Sequence, residues 1–238
     1  GALQLYAENP VTPNAPSATG TNAVAIGDQS VSTGTRSVAI GESVSTGTRS
    51  VAIGDSYASG PDSFAAAVGI NTSSFGATGS KAIVIGLQSK ATNHNAIAMG
   101  RANISSGQMS AALGGYLAES TANWSTTVGG RLNIADASYS LASGYGAKVG
   151  GIVGKVVHAP VISITQGDTQ CGNLVLTAAT TDATDIALTS TNGSPSTTNQ
   201  VILPNNSAYA FHGTIVARQQ ASTGTASAAW EIKGLIRR

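Results

Sequence analysis

Charge is scarce in this chain. Of its 238 residues only 10 % are charged, far below the quarter usual for soluble domains. The 12 Lys+Arg and 11 Asp+Glu leave a net charge of +1. They are spread evenly, with seven basic and seven acidic residues up to Gly150, then five and four. No basic stripe exists to hold a phosphate backbone, so nucleic acid is excluded as a partner. The single Cys171 excludes an intrachain disulfide framework and a cysteine-based zinc site. No apolar run approaches the ~18 residues of a membrane-spanning helix, and no basic-then-apolar leader opens the chain. Membrane insertion is therefore not expected. No heptad pattern of a coiled-coil stalk is visible either.

Glycine is abundant. Its 29 copies fall at fixed positions, which argues against disorder. A five-residue phrase carries many of them: Ala23-Val24-Ala25-Ile26-Gly27, then Ser37-Val38-Ala39-Ile40-Gly41, then Ser50-Val51-Ala52-Ile53-Gly54. Diverged copies close at Gly69, Gly86, Gly100, Gly114, Gly129 and Gly144, at spacings of 13 to 17 residues. A repeat this short implies a one-dimensional stack in which each unit is completed by its neighbours. At about 4.8 Å per strand layer, nine such coils predict a rod of roughly 43 Å.

Read by column, the residues one and three before each closing glycine are mostly Ile and Val, as in Val38 and Ile40. Their spacing puts them on one face of a short strand, and this stripe is expected to be buried. The intervening columns are small, mainly Ala and Ser, and are expected to let another backbone approach. A second glycine column, Gly20, Gly34, Gly47, Gly79 and Gly107, stands seven residues before the closing one. It predicts turns at positive φ. The β-branched alternation and glycine spacing exclude helix, and each repeat reads as one coil of a parallel β-roll. The thin core predicts an obligate oligomer.

The Ser-Val-Ala-Ile-Gly phrases, with Thr-Gly-Thr-Arg between them, resemble the head repeats of YadA-like trimeric adhesins. The resemblance covers residues 20–146, within a β-roll domain read as 20–150, and is strongest in the first three repeats. It implies a left-handed parallel β-roll, a homotrimer and a role in attachment. Residues 1–19 read as an extended lead-in.

Residues 151–238 read as a different module. Strand-like runs at 156–164, 174–178, 186–189, 201–203, 209–218 and 228–235 are separated by turn signals such as Asn192-Gly193-Ser194-Pro195. They predict an antiparallel β-sandwich or jelly-roll-like domain. The stretches 203–211 and 228–234 are similar to C-terminal modules of bacteriophage tail-fibre proteins. The chain ends directly on a strand-like run, which predicts that the parent protein continues. These features point to a phage fibre subunit located in the virion, with other virion or fibre proteins and a host cell-surface glycan or protein as partners. The alternative is the head of a bacterial trimeric adhesin at the cell surface, and a third reading is a polysaccharide-degrading tailspike.

Little in the sequence points to catalysis. His94, His158 and His212 share no metal-ligand spacing, and no nucleophile elbow or phosphate loop is present. Asp182 and Asp185 could form a carboxylate pair for glycoside hydrolysis, but in a Thr-rich turn they read as solvated loop acids. We expect no enzyme, no metal and no cofactor. One column is a candidate for recognition. Five residues before the closing glycines stand Asn22, Arg36, Arg49, Phe64, Lys81, Asn95, Met109, Trp124 and Tyr139. The drift to Met109, Trp124 and Tyr139 suits carbohydrate or protein contact. Packing against the C-terminal region is the competing and favoured account. Phe75, in the insertion between Gly69 and Gly86, is expected either to tuck over the roll edge or to project toward a partner.

Overall fold

The computed structural model describes residues 14–220 and 226–238 and the backbone of Gln4–Leu5. The rest of the 1–19 lead-in lies outside the described residues. No helix occurs among them. Two compact units are present, Gly1–Gln200 and Val201–Arg238. The first is a parallel β-solenoid of about ten turns, as the repeat predicts.

Each coil contributes one strand to each of two sheets. The phrase strands, among them Val24–Ile26, Val38–Ile40 and Val51–Ile53, stack in register in a 12-stranded sheet. Shorter strands such as Val31–Ser32 and Val44–Ser45 stack in a nine-stranded sheet. The larger sheet continues past Gly150, where Val156–Ala159 pairs in parallel with Leu141–Tyr145.

The two faces of the phrase strand are the reverse of the expectation. Ala25, Ala39, Ala52, Ala65, Val84, Ala98 and Ala112 are wholly buried inside the coil. Ile40 and Ile53 face outward and remain 36 % and 38 % exposed. The reason is room. Two sheets joined, in the regular coils, by corners of two to five residues lie too close for branched side chains from both, so the interior takes the small column and the Ile/Val stripe is displaced to the outer face. Serine fills what remains: the hydroxyls of Ser32 and Ser37 meet at 2.5 Å, and those of Ser45 and Ser50 at 2.6 Å. Ser37 and Ser50 also donate to the carbonyls of Gly34 and Gly47. Pairing of this kind is what lets buried hydroxyls be tolerated. In two later coils Asn103 and Asn133 take the inward corner and donate to carbonyls of their own and the next coil.

The second glycine column is explained by contact rather than by positive φ. A Cβ on Gly34 would collide with the carbonyl oxygen of Gly47, and one on Gly47 with that of Gly60. Positive φ falls two residues later, at Arg36, Arg49, Asp62, Lys81 and their equivalents, with φ of 53° to 59° along the column. The fourth repeat is also shifted from the counting. Phe64, Ala65 and Ala66 pair with Val51, Ala52 and Ile53, so Ala67, at φ 54°, takes the closing position and Gly69 does not. Residues 69–75 form the insertion. Asn71 Nδ2 reaches back to the Glu42 carbonyl at 2.6 Å, and Phe75 packs partly buried against the small-residue core.

The solenoid ends in irregular chain. Cys171–Asn173 adds antiparallel to Val156–Ala159, and Thr177 and Thr189 form an isolated antiparallel bridge. The second unit carries one two-stranded antiparallel sheet, Ala208–Arg218 with Ser227–Arg237. The antiparallel character expected of the C-terminal region is present. Among the described residues the second unit's regular sheet is this single pair, because the predicted run 201–203 forms no strand, while 174–178 and 186–189, in the first unit, contribute only the bridge.

Candidate functional site

Stacked coils turn any outward column into a ladder, because equivalent residues repeat at strand spacing. The positive-φ corner ahead of the larger sheet makes the clearest one. Its rungs are Asn22, Arg36, Arg49, Asp62, Lys81, Asn95, Met109, Trp124, Tyr139 and Gly154, all at positive φ. Asp62, not Phe64, is the fourth rung, a consequence of the shifted fourth repeat. Neighbouring rungs interact. Arg49 and Asp62 form an ion pair, and the guanidinium holds the Asp62 carboxyl below its ordinary value. Further along, Trp124 and Tyr139 stack face to face, with ring centres 5.0 Å apart and planes 7° from parallel. The Trp124 indole N–H points at Met109 Sδ, 3.2 Å away. Met109, Trp124 and Tyr139 are 45 %, 43 % and 62 % exposed. The structure brings these three candidates together in one exposed row. Phe75 stands apart, on the insertion between the fourth and fifth repeats.

A second ladder was missed by column counting. Arg101, Tyr116, Arg131 and Tyr145 are register partners across four coils. The Arg101 guanidinium lies 5.1 Å from the Tyr116 ring centre, and Arg131 lies 5.5 Å from Tyr116 and 5.7 Å from Tyr145. The offset from the closing glycine changes from one residue to two and back, because Gly114-Gly115 and Gly129-Gly130 insert an extra residue with a register shift. A fixed column therefore never contains all four residues. The alternating Arg/Tyr chemistry after each glycine was the available signal.

The histidines stay separate. His158 Nδ1 meets Ser143 Oγ at 3.1 Å on the outer face of the larger sheet. No group of three metal-ligating side chains occurs among the described residues. Asp182 accepts from the Thr184 N–H at 2.8 Å, which holds its carboxyl below the ordinary value. A cleft of about 460 Å³ in the same loops is lined by Thr177, Ala178, Ile186, Ala187, Thr189 and residues 192–195, and neither Asp182 nor Asp185 lines it. At the last coil, Lys155 takes the position that serine fills in earlier coils. Its Nζ donates to the Val149 carbonyl at 3.2 Å. Burial pushes the ammonium pKa down, and Asp136 partly offsets this.

Parts of the chain are similar to a known family. A family model for the YadA head domain repeat matches twice, over residues 18–41 and 77–103. The interval between the matches contains the shifted fourth repeat and the insertion 69–75, where the regular coil is interrupted. No curated protein and no solved structure matches the chain.

Proposed function

We propose that this chain is a subunit of a homotrimeric, extracellular attachment fibre in which the β-roll is a rigid spacer. The observation that carries the reading is the outer face of the larger sheet. Along successive coils it presents Val38 with Ile40, Val51 with Ile53, Phe64 with Ala66, Ile83 with Ile85, and Ile97 with Met99. A continuous apolar strip of this kind marks an interaction surface. With at most a little over a third of each side chain exposed in the single chain, removing that remainder from water contributes about 0.5–1 kcal/mol per Ile or Val, and repetition along the sheet multiplies the gain. Two further copies of the same strip are its natural complement, since three identical faces close around one axis without leaving an edge. The matched head repeats support the same assembly and an adhesin-like role.

Of the two settings, we favour a phage fibre, located in the virion and contacting the host surface and other fibre proteins. The resemblance of 203–211 and 228–234 to tail-fibre modules carries that choice. A bacterial adhesin head fits the roll equally well. In either setting the subunit acts without catalysis, with Asp182 engaged in its own turn. Light scattering tests the assembly. The expected mass is about three times the 23.6 kDa of one chain, and a monomeric mass rejects the reading. Antibody labelling of virions against bacterial cells separates the two settings.

A further inference from the structure

The Met109–Trp124–Tyr139 ladder stops one rung early. Gly154 occupies the next position: its N–H donates to the Ser138 carbonyl at 3.0 Å, as the Tyr139 N–H donates to that of Asn123. It has the same left-handed backbone, at φ 75°, and a Cβ there would meet nothing within 4 Å. Gly154 therefore places no side chain of its own over the face of Tyr139 turned away from Trp124, and Tyr139 is the most exposed member of the row at 62 %. A polar row runs alongside, formed by Gln108, Asn123 and Ser138. Asn123 Oδ1 accepts from the Gln108 N–H. The Asn123 amide N–H groups and the side chains of Gln108 and Ser138 make no hydrogen bond among the described residues.

We propose that a pyranose ring of a surface glycan occupies the missing rung, stacked on the open face of Tyr139 above Gly154. An aromatic face is electron-rich and attracts the weakly positive C–H face of a sugar, while the ring's equatorial hydroxyls reach outward to amides and hydroxyls such as those of Asn123 and Ser138. The strip is one ring wide and polar along its flank, which fits an oligosaccharide. A protein hot spot needs a broader desolvated centre with a sealing rim, and nothing here supplies one. The proposal deepens the attachment reading and rests on it only for the source of the glycan.

The test probes labelled, assembled protein against an array of bacterial capsule, lipopolysaccharide and animal-cell glycans, with mass and thermal melting recorded for every variant. Wild type should bind a subset of the glycans. Tyr139→Ala should weaken that binding at least about ten-fold, and Tyr139→Phe should retain it. Gly154→Tyr, which supplies the missing rung, should abolish binding while keeping the assembled mass. If Gly154→Tyr fails to assemble, the Tyr139→Ala and Tyr139→Phe pair decides alone. An array with no bound glycan overturns the proposal, as does binding indifferent to Tyr139. Cell binding lost in Tyr139→Ala with a blank array also overturns it, in favour of a protein receptor. Loss in Tyr139→Ala but not in Gly154→Tyr overturns the missing-rung geometry. A trimeric mass without sugar binding rejects this proposal alone, whereas a monomeric mass rejects the fibre reading.

Discussion

The side-chain amide of Gln170 hydrogen-bonds both peptide groups of Lys148: the Lys148 N–H donates to Oε1 and Nε2 donates to the Lys148 carbonyl, each at 2.9 Å. Lys148 bridges in parallel to Ile134 at the end of the smaller sheet, so Gln170 stands where the next strand would pair. One residue later, Cys171–Asn173 covers the end of the larger sheet with an antiparallel strand. The adjoining Gln170 and Cys171–Asn173 thus close both sheets at this end, where open edges would template pairing with other chains. Nearby Gln166 Nε2 donates to the Leu132 carbonyl, and the Gly167 N–H to that of Gly146, holding the capping segment down.

Gln170→Ala is expected to cost about 1–3 kcal/mol by leaving that edge unpaired. Hydrogen exchange at the Lys148 amide should accelerate, and a tendency to associate end to end should appear at high concentration. Gln170→Glu keeps the acceptor and loses the donor, so its urea midpoint should fall between wild type and Gln170→Ala. Equal midpoints for all three proteins would remove the capping role.

The two strand faces should respond oppositely to substitution. Ala52 is wholly buried between coils, and Ala52→Leu overpacks a space built for a methyl group. Destabilisation of about 1–3 kcal/mol or more is expected, whatever the state of assembly. Ile53 faces outward, so Ile53→Ser should leave far-ultraviolet circular dichroism unchanged while lowering the assembled mass in light scattering. If Ile53→Ser unfolds the chain and Ala52→Leu is silent, the assignment of the faces is wrong.

Periodicity made the roll legible, and the face assignment was not. The Val-Ala-Ile alternation of residues 38–40 shows two faces but carries no sign for which is inside, and the habit of burying Ile decides wrongly when two sheets sit too close for it. Gly34 shows a similar limit. A glycine column signals either positive φ or close approach, and only the position of the Gly47 carbonyl tells which. The fourth repeat misled because Ala67 stands where the other copies have glycine, so Gly69 drew the alignment two residues along. The aromatic row was legible because its offset is constant in the later repeats. The Arg101–Tyr116–Arg131–Tyr145 ladder was not, because the extra glycine in the two middle coils breaks the count.

The two glycine columns separate cleanly by substitution. Gly47 lacks positive φ, yet Gly47→Ala drives a methyl into the Gly60 carbonyl, and the coils must part to admit it. A loss of several kcal/mol is expected, on the order of a severe core defect. Gly54 has φ 65° and open space around its Cβ position. Gly54→Ala should therefore cost only about 1–2 kcal/mol of backbone strain, and Gly54→Asn less. Thermal melting of the three variants checks the ranking. Gly54→Ala costing more than Gly47→Ala would contradict it.

Asp168 ties the capping segment to pH. Its carboxylate accepts from the N–H groups of Ile164, Thr165 and Ser163, and those bonds hold its pKa down to about 2 from an ordinary 3.8. A depressed carboxyl pKa means that the charged form is favoured in the fold. The contribution is complete above about pH 4 and is lost as pH falls through about 2. Amide exchange at Ser163, Ile164 and Thr165, corrected for intrinsic rates, should lose its protection across that window, and the Lys148 amide paired to Gln170 should follow. Asp168→Asn replaces one acceptor oxygen by a donor and cannot titrate, so protection should be weaker at neutral pH and flat between pH 4 and 2. A wild-type profile equally flat would show that Asp168 does not organise the turn.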